Sequence, residues 1–218
     1  MTRNQSIDIL EVTTGREIWM MAAATSDEFR DGFPFLAGQL WLDLLNTTPT
    51  PGGVAQDLIA TPGDAARWLA ASGLAGSTGT PTPDEIGAEL RALREELRPA
   101  VEILARGEPL AESLMASVNR RLAGLTGRHQ LQQRSEGFAL SFVLDRGVAA
   151  PAALIARDFA AFVCEAEPDR LRHCASDCCS LVFYDRGRNN TRRWCSMSAC
   201  GNRDKVARFR ARRVGAGG

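Results

Sequence analysis

At 218 residues, with 44% hydrophobic content and a formal net charge of zero, the chain can form one full core plus a small appendage. No stretch approaches the roughly 20 apolar residues a membrane span requires, and the apolar run at 18–24 is too short for a secretory leader, with Asp8 and Glu11 spoiling a cationic lead. The neutral total hides a split: residues 170–218 hold twelve Arg/Lys against three Asp, a formal +9, which leaves residues 1–169 at −9.

Residues 1–30 show weak periodicity and no predicted element. Met20 and Met21 lie just ahead of the first strong pattern and are candidate natural starts. From Phe33 onward the signal strengthens. Leu40, Trp41, Leu44 and Leu45 recur at helical spacing and predict a short buried helix over 38–47. The run TTPTPGG then breaks the pattern. Thr61-Pro62 and Gly73 bound a second short helix over 64–72. Thr82 or Asp84 can cap a long helix from Glu85 to Arg106, with Ile86, Leu90, Leu93, Leu97, Val101 and Leu104 as its buried stripe. A fourth helix is predicted over 108–126. The period then changes: Leu131, Phe138, Leu140, Phe142 and Leu144 alternate around Ser135-Glu136-Gly137 and predict a β-hairpin over 129–145. Pro151 starts a helix to Glu165. The predicted fold is mainly α with one hairpin, followed by a small treble-like, zinc-type finger ending in a basic helix. The expected organisation is a poorly defined segment 1–30, an α-rich domain 31–168, and a finger 169–218 whose last residues are disordered.

Four cysteines carry the chemistry. Cys174, Cys179, Cys195 and Cys200 follow C-x4-C-x15-C-x4-C, the layout of a four-thiolate zinc site. Such a site is closed to substrate, so its zinc, one ion, is expected to be structural and to stand in for a core that some 40 residues cannot build. Cys178 competes with Cys179 for the second position; Cys179 makes the two halves match. His173 sits too close to Cys174 for an easy chelate. Clustered cysteines of this kind fit a reducing cytoplasm. Replacing Cys195 is expected to unfold the tail and leave the body folded.

The run Cys195-Ser196-Met197-Ser198-Ala199-Cys200-Gly201-Asn202-Arg203, together with Cys174-Ala175, Cys179, Phe183, Asp185, Arg188-Asn189 and Arg192-Arg193-Trp194, resembles the CGNR zinc-finger family over about 171–213. The resemblance implies zinc ligation by the four cysteines, favours Cys179 over Cys178, and implies a DNA-binding module. The run Leu42-Asp43-Leu44-Leu45-Asn46-Thr47, followed by Trp68-Leu69 and Gly73-Leu74, is similar to the ABATE domain and covers most of 33–165. It implies a stress-linked transcription regulator.

The basic tail supplies candidate nucleic-acid contacts. Lys205, Arg208 and Arg212 form a stripe on the last helix, while Val206 and Phe209 share a face expected to pack on the metal knot. Arg186, Arg188, Arg192 and Arg193 lie in the loop between the half-sites and are candidate phosphate clamps. Arg203 is either a DNA contact or a brace of the knot, through backbone carbonyls and Asp185. In the body, Asp43, Asn46 and Thr47 either face an effector pocket or end the helix and bond nearby backbone. No G-x-S-x-G, P-loop, H-E-x-x-H or dinucleotide fingerprint is present, so an enzyme is not expected. The expected partners are DNA, a small-molecule effector and a second copy of the chain, with no membrane.

Overall fold

The computed structural model describes residues 28–50, 54–74, 82–135, 137–145, 150–206 and 209. The candidate starts Met20 and Met21 and the candidate DNA contacts Arg208 and Arg212 lie outside the described residues. About half of the described residues are helical, and three two-stranded antiparallel ladders are formed among them.

The first ladder pairs β1 (Phe29–Arg30) with β2 (Phe33–Pro34). Asp31 and Gly32 connect them with φ of 49° and 82°. Asp-Gly with both φ values positive is the preferred tight-hairpin dipeptide, and this signal went unused in the sequence reading. Helix α1 (Leu40–Leu45) is shorter than 38–47. Helix α2 (Pro62–Ser72) starts at a capping box in which Thr61 and Asp64 satisfy each other's backbone N–H groups, and Gly73 ends it in the left-handed region at φ 78°.

The long helix expected over 85–106 is two helices. α3 (Pro83–Leu97) has a Thr82–Glu85 capping box, and α4 (Ala100–Ala105) follows a break at Arg98-Pro99. Pro99 has no N–H to continue the ladder and its ring crowds the preceding turn. The fourth helix also contracts, to α5 (Glu112–Leu122). Strands β3 (Gly127–Arg134) and β4 (Gly137–Leu144) form the hairpin, and α6 (Pro151–Glu165) follows. The chain then makes a single 3-10 turn at Pro168–Arg170 and pairs β5 (Leu171–His173) with β6 (Val182–Tyr184).

One hydrophobic core runs through both the helical body and the cysteine-rich segment. Trp41 of α1 packs edge-on against Phe159 and at a tilt against Phe162 of α6, each at 5.1 Å between ring centres, and Phe162 meets Tyr184 of β6 edge-on at the same distance. Phe183 and the sulfurs Cys174, Cys195 and Cys200 are buried in the same cluster. No gap in the core marks residue 169.

Hydrogen bonds reinforce the seam. The Asp158 carboxylate on α6 accepts the Trp41 backbone N–H at 2.9 Å and caps the start of α1. Tyr184 N–H donates to the Ala37 carbonyl at 3.1 Å. Arg94, 3% exposed, is held by Asp57 through two nitrogens at 2.8 and 2.7 Å and by the Thr47 hydroxyl at 2.9 Å. The fork geometry satisfies the buried guanidinium that would otherwise be costly.

Candidate metal centre

Local backbone geometry brings the cysteines together. The Cys174 N–H bonds the Leu181 carbonyl at 2.9 Å, which closes the β5–β6 ladder over the first half-site. A tight turn places the Cys179 N–H on the Ser176 carbonyl at 2.9 Å. The second half-site begins at Ser196, whose hydroxyl oxygen accepts the Ala199 N–H at 3.1 Å and starts a π turn at Met197–Gly201. Helical residues 202–206 follow.

The sulfurs of Cys174, Cys179, Cys195 and Cys200 all lie within 4.8 Å of one another. Cys179 to Cys195 and Cys195 to Cys200 are each 3.7 Å. Four thiolates at about 2.3 Å from a zinc ion form a tetrahedron with edges of about 3.8 Å, so these separations fit the ion's coordination sphere. The Cys195 N–H also points at the Cys174 sulfur, at 3.4 Å, as a donor that supports a charged thiolate. Crowding sets the acidities. The hydrogen bond between Cys179 and Cys195 pulls Cys179 down to about 5 and pushes Cys195 far above the ordinary thiol range. Burial pushes Cys200 up to about 11. Four thiols this close cannot all ionise beside one another unless a cation sits between them.

Of the two competing cysteines, Cys179 is in the cluster and Cys178 is outside it. Cys178 is exposed, 3.4 Å from the Ser176 hydroxyl and 2.9 Å from an Arg203 guanidinium nitrogen. Arg203 thus has a sulfur partner, where the sequence suggested carbonyls or Asp185. Asp185 is instead the hub of the arginine loop: its two carboxylate oxygens accept the Gly187 N–H at 2.7 Å and the Arg192 N–H at 2.8 Å. His173 pairs with Glu102 at 2.7 Å, away from the sulfurs.

The candidate contact residues divide into two groups. Arg192 is half-buried, donates to the carbonyls of Leu36, Trp194 and Cys195, and lies 4.4 Å over the Phe183 ring. Its guanidinium braces the knot against the body, which corrects its reading as a free phosphate clamp. Arg188, Arg193, Arg203 and Lys205 are exposed. Arg193 lies 5.1 Å over the half-buried Trp194 ring.

Asp43, Asn46 and Thr47 make the backbone bonds of the second alternative that the sequence offered. Asp43 accepts the Ala37 N–H at 3.0 Å, and Thr47 donates to the Leu44 carbonyl at 2.6 Å. Asn46 bonds both backbone groups of Val182, on the other side of the seam. Val206 and Phe209 are 49% and 57% exposed, where the sequence led to the expectation of a buried face. The π turn, closed by the Gly201 N–H on the Ser196 carbonyl at 3.0 Å, adds one residue to the helical repeat and rotates the following face.

Sequence reasoning missed Glu28. One of its carboxylate oxygens accepts hydroxyl hydrogen bonds from Ser196 and Ser198, both at 2.6 Å, which hold its pKa below the usual carboxylate range and tie the π turn to β1. A groove of about 580 Å³ opens beside it, lined by Phe35 and Leu36 from the body and by Arg192, Arg193, Trp194 and Met197 from the finger.

An α-rich body with a four-thiol knot at its C-terminal side is a zinc-finger type of protein. The chain belongs to the ABATE family, whose model is described as a putative stress-induced transcription regulator and matches residues 38–166. The CGNR zinc finger model matches residues 170–213. No curated protein matches the chain. Among the described residues no helix is long and apolar enough to cross a membrane.

Proposed function

We propose that this protein is a cytoplasmic DNA-binding transcription regulator and not an enzyme, in which one zinc ion, held by Cys174, Cys179, Cys195 and Cys200, fixes a basic surface for the phosphate backbone. The observation that carries this reading is the exposure of Arg188, Arg193, Arg203 and Lys205 around the sulfur cluster, in a tail of twelve basic and three acidic residues. Zinc would act there as a structural cross-link: the thiolates bind it, and β5, β6 and the π turn hold the loop in shape. Arg208 and Arg212 extend the stripe along the sequence.

The groove between Phe35 and Trp194 is the effector site in this reading. Its volume is within the usual range for small ligands, its lining mixes apolar side chains with Glu28 and arginines, and both body and finger wall it. A ligand there would touch the two parts at once.

The test is a titration of the zinc-loaded protein with duplex DNA at several salt concentrations. Five or six phosphate contacts, at about 0.9 each, give a log–log slope of about −4.5 to −5.4. Chelation should abolish binding. A flat slope, or binding that survives metal removal, overturns the reading.

A further inference from the structure

The β3–β4 hairpin carries a surface that neither the sulfur cluster nor the arginine loop uses. Its register pairs Gln133 with Phe138, Leu131 with Leu140, and His129 with Phe142. Side chains alternate along a strand, so these three pairs share one face. On it Leu131, Phe138 and Leu140 are 67%, 74% and 68% exposed. On the other face Ser141 and Val143 are buried. The sequence alternation placed the leucines and Phe138 together, and the structure turns their outer half toward solvent. Alternation reports which residues share a face and leaves open which face meets the core.

The fractional exposures leave roughly 400 Å² of largely apolar surface on this face, within the size range of functional patches. Glutamine, histidine and backbone around the trio extend it toward the roughly 800 Å² per partner of a standard protein interface. The face carries no charged side chain: Gln133, Leu131 and His129 oppose Phe138, Leu140 and Phe142. A charge-free apolar face gives no counterion release on a phosphate backbone, whereas it packs against its own image without burying an unpaired charge.

We infer that two copies of this chain pair through the hairpin, face to face about a twofold axis. A twofold near the Leu131/Leu140 pair sets Phe138 of each copy against the leucines of its partner, so one patch supplies both halves of the contact. Two hairpins stacked about 10 Å apart make a four-stranded sandwich that covers the exposed face, the opposite face being buried already.

The experiment is analytical ultracentrifugation of the full metal-loaded chain over about 1 to 100 µM, beside the variants Leu140→Arg and Phe138→Glu. Leu140→Arg sets like charges against each other near the twofold, and Phe138→Glu sets an unpaired carboxylate against the partner's leucines. The expected result is a reversible dimer whose Kd rises at least about tenfold in each variant, with metal content unchanged. The milder Phe138→Ser variant should shift it in the same direction if either charged variant folds poorly. A wild-type monomer across the whole range overturns the inference, as does a dimer that all the variants keep. A monomer whose DNA affinity falls in the variants also overturns it, by making the hairpin a DNA contact.

Discussion

Asn46 grips Val182 by both backbone groups: its amide nitrogen donates to the Val182 carbonyl at 2.8 Å, and its amide oxygen accepts the Val182 N–H at 2.9 Å. The side chain stands in for a neighbouring strand and splices β6 onto the end of α1. Both partners are buried, so neither bond can be exchanged for water. Replacing Asn46 with Ala leaves the two Val182 groups unsatisfied and is expected to cost about 2–4 kcal/mol. Urea denaturation measures the loss, and hydrogen exchange at Val182 should accelerate with it. A loss under about 0.5 kcal/mol would show that the pair holds nothing together.

Metal removal is expected to act on the whole molecule. The sequence suggested a tail that unfolds by itself, but Phe183, Cys174, Cys195 and Cys200 belong to the core that Trp41 and Phe162 occupy. Cys195→Ser should lose the metal and lower the Tm of the body's helices in one transition. Cys178→Ser should keep the metal, because Cys178 lies outside the cluster. Native mass spectrometry and thermal circular dichroism read the two effects. A variant at Cys195 that binds metal normally would remove it from the ligand set.

The seam also carries a pH dependence. Burial pushes Asp43 up to about 8 and Asp158 up to about 6; repulsion from Asp158 adds to the rise at Asp43, and Arg186 opposes both. Unfolded carboxylates titrate near 4, so between about pH 4 and pH 8 the folded state holds protons that the unfolded state releases. These two groups therefore make the protein less stable as pH rises through that window. Asp43→Asn, which keeps an acceptor for the Ala37 N–H, should flatten the slope between pH 6 and pH 8 and raise the Tm at pH 8. An unchanged slope would show that Asp43 does not titrate there.

The arginines should separate by role. Arg193→Ala and Lys205→Ala are expected to weaken DNA binding at unchanged Tm, each lowering the salt slope by about 1. Arg192→Ala should lower the Tm, because it frees three carbonyls and uncovers Phe183. If Arg192→Ala weakened binding without any loss of stability, its assignment as a brace would be wrong.

The sequence made the local elements legible wherever a short-range signal existed. Thr61-Pro62 and Thr82 set helix starts through capping boxes that involve residues three apart, and Gly73 ended a helix by its φ. The four sulfurs were legible from spacing because metal geometry constrains spacing. Two local signals were there and went unused: Asp31-Gly32 as a hairpin and Pro99 as a break. The roles of Asn46 and Asp158 were not legible. Their partners lie 136 and 117 residues away, and an isolated buried Asn or Asp carries no pattern that names a distant backbone group. The face of the hairpin that meets solvent was hidden for the same reason.

The continuous core has a consequence for how such proteins can be recombined. A finger cut out at residue 169 would carry Phe183 and Tyr184 with no Trp41 or Phe162 to cover them, and a body cut there would show the matching hole. Swapping the finger onto another body would therefore transplant its specificity only if that body presents an Asn46 equivalent and an aromatic seat of the same shape. Because Asn46 holds only the backbone of Val182, the splice fixes the residue at 46 and places no demand on the side chain at 182.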